Sequence, residues 1–186
     1  MIEHHDGFEM LKREHRFVEG LLGRLLELSE RMRAGERVSP GTVRLGVGLL
    51  DAYLHRVHMR QFDHDLWPYA QAAARPECGA TLTLIRQNHD RLRRSAQQIL
   101  TLTSRWAQGD TAAPAEIARG LMTLVASDYA TNEFEERQPF SCLSTSLPRH
   151  ARERIRAAFS GHAESKAAVE ARIDRYLRLS EDASST

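Results

Sequence analysis

The amino-acid sequence predicts an all-α fold, namely an up-and-down antiparallel four-helix bundle with one or more additional C-terminal helices. Apolar residues recur at spacings of three and four in four long segments, which places them on one face of an α-helix. The connections between these segments are short, which favours antiparallel neighbours. Aromatic residues make up only 6% of the chain, a composition that suits helix packing by leucine, valine and alanine better than a β-sandwich.

The first two predicted helices are separated by a short stretch that contains glycine and proline. The first helix runs from about Asp6, a residue type that favours the N-cap, to about Arg33. The second runs from about Thr42 to Ala74. Pro68 lies near the end of this second helix, and we expect it to kink the helix because proline lacks a backbone N–H.

The third and fourth predicted helices differ in the character of their inward faces. The third helix keeps apolar spacings of three and four as far as Trp106, and Gly109 ends it. The fourth helix starts near Pro114, a residue suited to a first helical turn, and Pro139 ends or kinks it. Its inward stripe turns polar halfway along, which is unusual for a buried face. The predicted stripe consists of Ile117, Leu121, Val125, Asp128, Asn132 and Glu136.

The remaining sequence predicts a C-terminal extension and a tail. Residues 1–147 form the predicted bundle, residues 148–180 a helical extension packed on it, and residues 181–186 a flexible tail. The extension contains one or two helices with a break near Gly161. It either covers the bundle or mediates homodimerisation, and the sequence leaves both alternatives open.

Charge and composition exclude several classes of partner. The 26 basic and 25 acidic residues nearly balance, so no electrostatic argument supports binding to nucleic acid or to an anionic membrane. No apolar run approaches the roughly 18 residues that a membrane span requires. The start of the chain does not resemble a signal peptide, and Cys78 and Cys142 show neither metal-binding spacing nor a disulfide framework. We therefore expect a cytoplasmic protein with reduced thiols.

A layer of polar residues is predicted inside the bundle core. His15, His58, His89 and Glu136 lie on the apolar stripes of four different helices, and Asn132 lies one turn before Glu136. An α-helix rises about 1.5 Å per residue, and in an antiparallel bundle the starts of odd helices lie beside the ends of even ones. These side chains are therefore expected at about one height.

An internal repeat supports this layer. His89 follows His15 by 74 positions, and Asn132 follows His58 by the same interval, which indicates a duplicated two-helix unit. The ancestral unit would carry one histidine on its first helix and a histidine and a glutamate four residues apart on its second. Residues at that spacing share a helix face and can share a metal. Two facing units would form a dinuclear site, with ligands suited to non-haem iron among other metals.

Four ordered phrases of the sequence resemble the hemerythrin-like family of HHE cation-binding domains. The resemblance covers roughly residues 8–145. It implies a four-helix bundle that typically holds a non-haem di-iron centre and binds or senses oxygen, nitric oxide or peroxide, or stores iron. The phrases are LKREH at residues 11–15, RVHMRQFDHDLWP at 56–68, IRQNHD at 85–90 and YATNEFEE at 129–136.

The resemblance also implies a ligand set, which this chain matches only in part. The metal ligands that it retains are His15, His58, His89 and Glu136. Phe62 occupies the position of the carboxylate on the second helix, and phenylalanine cannot bind a metal. Asn132 occupies the position of the histidine on the fourth helix, and its amide is a poor substitute for imidazole. The expected centre is therefore mononuclear or an incomplete di-iron site, with Asn132 and Asp63 as weaker candidate ligands.

Three classes of function follow. The favoured one is a metal-binding protein that holds iron, with zinc or manganese as alternatives, and senses a small diatomic ligand or peroxide or handles iron. The second is a metal-free bundle, held by hydrogen bonds between histidine and glutamate, that acts as a structural or protein-interaction module. An enzyme that uses a single metal is the least favoured, since no substrate pocket is evident in the sequence.

Overall fold

A computed structural model describes residues 7–73 and 76–182, and this part of the chain is helical with no strand. The all-α prediction is therefore confirmed. The N-cap predicted at Asp6 and residues 183–186 of the predicted tail lie outside the described residues. The helices are α1 (Gly7–Arg33), α2 (Pro40–Tyr53), α3 (Trp67–Ala73), α4 (Pro76–Ala107), α5 (Ala113–Arg137), α6 (Pro139–Ser146), α7 (Arg149–Gly161) and α8 (Ala163–Asp182).

The four long helical runs form a ring in the order α1, α2 with its continuation, α4 and α5. Helix α1 packs against α5 and α2, while α4 packs against α2 and α5. Two glycines follow the ends of α1 and α4. Gly35 after α1 has a φ of 77°, and Gly109 after α4 has a φ of 99°. Such left-handed conformations carry no steric penalty for glycine and commonly terminate helices.

Two π-helical segments, Leu54–His58 and Gln61–Leu66, join α2 to α3. The N–H of Met59 donates to the carbonyl of Leu54, and the N–H of Trp67 donates to that of Phe62, so both bonds span five residues instead of four. Both widened segments end before Pro68, and the kink expected at this proline stays a prediction. Pi-helical turns are rare and frequently occur at functional sites. The first of these segments ends at His58.

The hydrophobic core consists of two clusters, one on each side of the buried histidines. The larger cluster includes Leu25, Leu50 and Leu121, and the smaller one includes Leu11 and Phe62. Along α1, α4 and the helical run that begins with α2, residues of the two clusters flank one buried histidine. The predicted polar layer is therefore a real division of the core.

A disulfide between Cys78 of α4 and Cys142 of α6 contradicts the expected reduced thiols. Their Cα atoms lie 6.1 Å apart, within the range that a disulfide can span. The two cysteines are separated by 64 positions in the sequence, and only the packing of α6 against α4 brings them together. No spacing rule in the sequence could reveal this pair.

Helices α7 and α8 lie against the bundle. Helix α8 packs on α2, where the Tyr176 hydroxyl donates to the carbonyl of Thr42 at 3.3 Å. A Cβ at Gly46 would lie 2.6 Å from the Tyr176 hydroxyl oxygen, so glycine permits this close approach. Helices α7 and α8 thus contact α1 and α2, while the role of the extension, homodimerisation and the division at residue 147 stay predictions. Residues 181 and 182 are the last residues of α8.

Within residues 7–73 and 76–182, none of the helices has the length and apolar character that crossing a membrane requires. The cytoplasmic location stays a prediction.

Candidate metal centre

One fully buried carboxylate, that of Glu135 on α5, lies among three buried histidines. His15 comes from α1, His58 from the first π-helical segment and His89 from α4, and each of their residues is at most 4% exposed. The described part of all four long helical runs therefore contributes one side chain to this cluster. Burying so many polar groups is costly unless they are paired or bind a ligand.

Three atoms of this cluster converge without hydrogen bonds. His15 Nε2 lies 3.2 Å from Glu135 Oε2, and His58 Nε2 lies 3.4 Å from the same oxygen. The ligand atoms of the three residues all lie within 4.8 Å of one another. None of the three has a hydrogen-bond partner, although each is completely buried.

These spacings fit a metal cation. Imidazole nitrogen and carboxylate oxygen bind transition metals at about 2.0–2.2 Å, so neighbouring ligand atoms on one ion lie roughly 3.0–3.4 Å apart. The two separations from Glu135 Oε2 fall within this interval, and the two imidazole ligand atoms lie within 4.8 Å of each other. Two imidazoles and one carboxylate also form a donor set that first-row divalent metals accept. His15, His58 and Glu135 are thus the residues that could hold a cation.

His89 contacts the other oxygen of the central carboxylate. Its Nε2 lies 2.7 Å from Glu135 Oε1, which is a hydrogen-bond distance. A hydrogen bond to one oxygen fixes the orientation of the carboxylate and leaves Oε2 directed at His15 and His58. The Phe62 ring also lies against His89, with 5.3 Å between the ring centroids in an edge-on arrangement.

Each of the two converging histidines has a second carboxylate at its far nitrogen. Glu136 Oε1 lies 2.9 Å from His15 Nδ1, and Glu14 Oε2 lies 3.6 Å from His58 Nδ1. The other oxygen of Glu14 is 2.8 Å from the Lys166 ammonium of α8. Metal-binding histidines generally have such outer partners, which set the tautomer and the ring orientation.

The electrostatics of the cluster favour a cation at its centre. Burial opposes ionisation of Glu135, but the neighbouring histidines outweigh it and hold its pKa well below the usual range. Burial likewise opposes protonation of His58, but the charges of Glu135 and Glu14 raise its pKa to about 10. A proton on His58 therefore balances the buried carboxylates in the metal-free chain. A metal that binds His58 has to displace this proton.

A further buried carboxyl, that of Asp128, lies about two turns before Glu135 on α5. Its Oδ1 accepts a hydrogen bond from Asn132 Nδ2 at 3.0 Å, while its Oδ2 has no partner. Burial raises the pKa of Asp128 to about 6, although His58 and His15 partly oppose the shift. Asp128 is thus the buried carboxyl of this layer that is easiest to protonate.

The structure brings together three of the predicted ligands and leaves three others apart from the converging atoms. His15, His58 and His89 all surround Glu135. The metal-ligand set stays a prediction. Glu136 is 35% exposed and contacts the far nitrogen of His15. Asn132 donates a hydrogen bond to Asp128. Asp63 Oδ1 lies 3.1 Å from Arg86 Nε.

The predicted stripe of α5 does not include Glu135, because beyond Asp128 it continues in steps of four to Asn132 and Glu136. An α-helix turns about 100° per residue, so a step of seven from Asp128 ends about 20° away and a step of eight about 80° away. Glu135 therefore shares the direction of Asp128, and Glu136 points to the edge of the bundle. Alternating steps of four and three would have identified Glu135. Nothing in the sequence distinguishes Glu14, because its role depends on contacts with His58 and Lys166.

The comparisons with known proteins agree with this picture at the level of the family. Comparison with curated proteins and with solved structures gave no match. Residues 6–137 match the family model described as Hemerythrin HHE cation binding domain, which ends at the last residue of α5 and leaves α6, α7 and α8 outside the match. The chain therefore belongs to the hemerythrin HHE cation-binding domain family.

Proposed function

We propose that this protein binds a single iron ion through His15 Nε2, His58 Nε2 and Glu135 Oε2, and that the ion is the site at which a small diatomic molecule or peroxide is sensed. The observation that carries the proposal is the convergence of three buried ligand atoms that have no hydrogen-bond partner. The atoms face one another at 3.2 and 3.4 Å without hydrogen-bond geometry, and a cation between them would satisfy all three at once.

The choice of iron rests on the donor set and on membership of the family. Two imidazoles and one carboxylate with open positions are typical of non-haem iron(II) sites. A bound iron ion would supply open coordination positions for a small molecule. Phe62 supports one ion instead of two, because this apolar ring occupies the place beside His89 where a second carboxylate would be needed. Zinc, manganese and a role in iron handling are outcomes that the experiment separates.

The first experiment measures metal binding by Glu135→Gln against a matched control. Glu133→Gln changes the same residue type on the same helix, but Glu133 is 59% exposed and pairs with Arg137. Chelator-treated protein is loaded anaerobically with iron(II), zinc(II) or manganese(II), and bound metal is measured after desalting. We expect about one equivalent of iron in the unmodified protein and in Glu133→Gln. Removal of the carboxylate ligand should lower affinity by at least about 100-fold.

Two results would contradict this proposal. Well under one equivalent of every metal in the unmodified protein would exclude a resident cation, and equal binding by both variants would exclude Glu135 as a ligand. The sensing role has its own readout, since iron-loaded protein should show visible absorption that changes when nitric oxide, azide or peroxide is added. Bound iron without such a change would favour iron handling.

A second function, a structural module without metal, is favoured by the hydrogen bonds of the layer. His89 Nε2 lies 2.7 Å from Glu135 Oε1 and His15 Nδ1 lies 2.9 Å from Glu136 Oε1, so the layer is partly satisfied by its own side chains. This alternative predicts that a chelator leaves the melting temperature of the purified protein unchanged. It also predicts that His89→Gln changes the melting temperature and has no effect on metal content.

A further inference from the structure

The C-terminal extension contacts the candidate metal centre through a chain of charged side chains. The Lys166 ammonium of α8 lies 2.8 Å from Glu14 Oε1, and Glu14 Oε2 lies 3.6 Å from His58 Nδ1. On the other side of the imidazole, His58 Nε2 faces Glu135 Oε2 at 3.4 Å. A continuous series therefore runs from α8 through α1 to the central carboxylate.

Glu14 is buried, so the groups around it must compensate its charge. The residue is only 1% exposed, and an ionised carboxylate in such a place requires compensation. Lys166 supplies a cation at hydrogen-bond distance on one oxygen. The second oxygen has no hydrogen-bond partner, and neither does His58 Nδ1, the ring nitrogen that it faces.

A metal at His58 Nε2 would require a hydrogen-bond acceptor for the N–H at Nδ1, and Glu14 can be that acceptor. An imidazole that binds a metal through Nε2 carries its proton on Nδ1, and that N–H requires an acceptor inside the core. Glu14 Oε2 is a buried acceptor without a partner, and a movement of about 0.7 Å would bring it to hydrogen-bond distance. Lys166 holds the opposite oxygen and so limits the directions in which Glu14 can turn.

We infer that Glu14 and Lys166 are positioning residues that hold His58 with Nε2 directed at the metal, and that α8 is therefore a functional part of the metal centre. This inference rests on the proposed function. It adds a contribution from outside the family match, which ends at residue 137, whereas Lys166 lies in the extension. A chain truncated at the end of the matched region would lack this support for His58.

The test is a cobalt(II) titration of chelator-treated protein, followed by visible absorption, for the unmodified chain and three lysine variants. Lys166→Met removes the charge and keeps most of the apolar stem, while Lys166→Arg keeps the charge. Lys12→Met is the matched control, because the ion pair and hydrogen bond described for Lys12 go to Glu9 on α1 at 2.7 Å. Glu14→Gln is measured alone and together with Lys166→Met.

We expect Glu14→Gln to weaken cobalt binding by about 10- to 100-fold, the range found for partners of metal-binding histidines, and Lys166→Met by about three- to tenfold. The double variant should bind no more weakly than Glu14→Gln alone, because both changes interrupt the same series of contacts. Lys166→Arg should retain most of the affinity. Lys12→Met should match the unmodified chain.

The sign of the Lys166→Met effect separates orientation from simple charge. Removing a positive charge near the site would by electrostatics alone strengthen the binding of a divalent cation. Weaker binding therefore reports lost orientation, and unchanged or stronger binding would overturn the inference. Failure of the unmodified chain to bind cobalt or iron would instead overturn the proposed function. Melting temperatures of the metal-free variants confirm that each one is folded.

Discussion

The two histidines that converge on Glu135 lie in unlike surroundings. His15 Nδ1 contacts Glu136 at 2.9 Å near the edge of the bundle, and its ring stacks on Phe140 of α6 with 5.9 Å between centroids. His58 lies in a π-helical segment and faces the fully buried carboxylate of Glu14, which Lys166 neutralises.

The difference shows that one chemical requirement is met by two unrelated parts of the chain. On the His15 side the support comes from the end of α5 and from α6, which a disulfide joins to α4. On the His58 side it comes from α1 and α8. The 74-residue repeat relates His15 to His89 and His58 to Asn132, so it does not predict equivalent neighbours for His15 and His58.

Loss of the disulfide should have the largest effect on this comparison. Because Cys78 and Cys142 enclose 64 positions, their bond restricts the unfolded chain, and its removal should lower the free energy of unfolding by about 2–4 kcal/mol. Chemical denaturation with and without a dithiol reductant measures this change. Hydrogen exchange should increase in α6, which carries Phe140, while α8 stays protected.

The Cys78→Ser, Cys142→Ser double variant provides the control for this experiment. It should unfold at the denaturant concentration of the reduced protein and should not respond to the reductant. Equal midpoints for the oxidised and reduced unmodified chain would show that the disulfide does not support the His15 side. An equal increase in hydrogen exchange in α6 and α8 after reduction would show that the His15 side and the His58 side are not held independently.

Replacement of Asp128 should change the free energy of unfolding, because its buried carboxyl interacts electrostatically with His15 and His58. Its pKa is raised to about 6, so between about pH 4 and pH 6 the folded chain keeps a proton that the unfolded chain has released. The free energy of unfolding contributed by this group therefore falls as the pH rises through that window. Asp128→Asn removes the penalty, keeps an oxygen that can accept from Asn132, and should stabilise the metal-free chain at pH 7 by about 1–3 kcal/mol.

Urea denaturation of the metal-free chain at several pH values checks this prediction. Asp51→Asn on α2 is the control for the loss of a carboxylate outside the polar layer. Should Asp128→Asn be less stable than the unmodified chain at pH 7, the Asp128 carboxylate would be a favourable partner of the histidines instead of a burden.

The same two surroundings show how far the sequence could lead. Spacings of three and four identified the four helical runs and placed His15, His58 and His89 at one level, because these features depend on local periodicity and helix rise. The disulfide and the contact between Lys166 and Glu14 depend on how α6 and α8 return to the bundle, which no local pattern encodes. Glu135 lies between these cases, since its direction follows from the helix period but was obscured by Glu136 beside it.

Glu136→Gln should have the smallest effect and would rank the two sides directly. Glu136 is 35% exposed, so water can replace part of its bond to His15, and glutamine keeps an oxygen that accepts from Nδ1. We therefore expect cobalt binding to weaken by only about threefold, less than the 10- to 100-fold loss expected at a buried partner such as Glu14. Titrations of Glu136→Gln, Glu14→Gln and the exposed control Glu133→Gln give this ranking. A larger loss for Glu136→Gln than for Glu14→Gln would mean that the direct bond at the edge, and not the buried charge beside His58, governs how tightly the centre holds its metal.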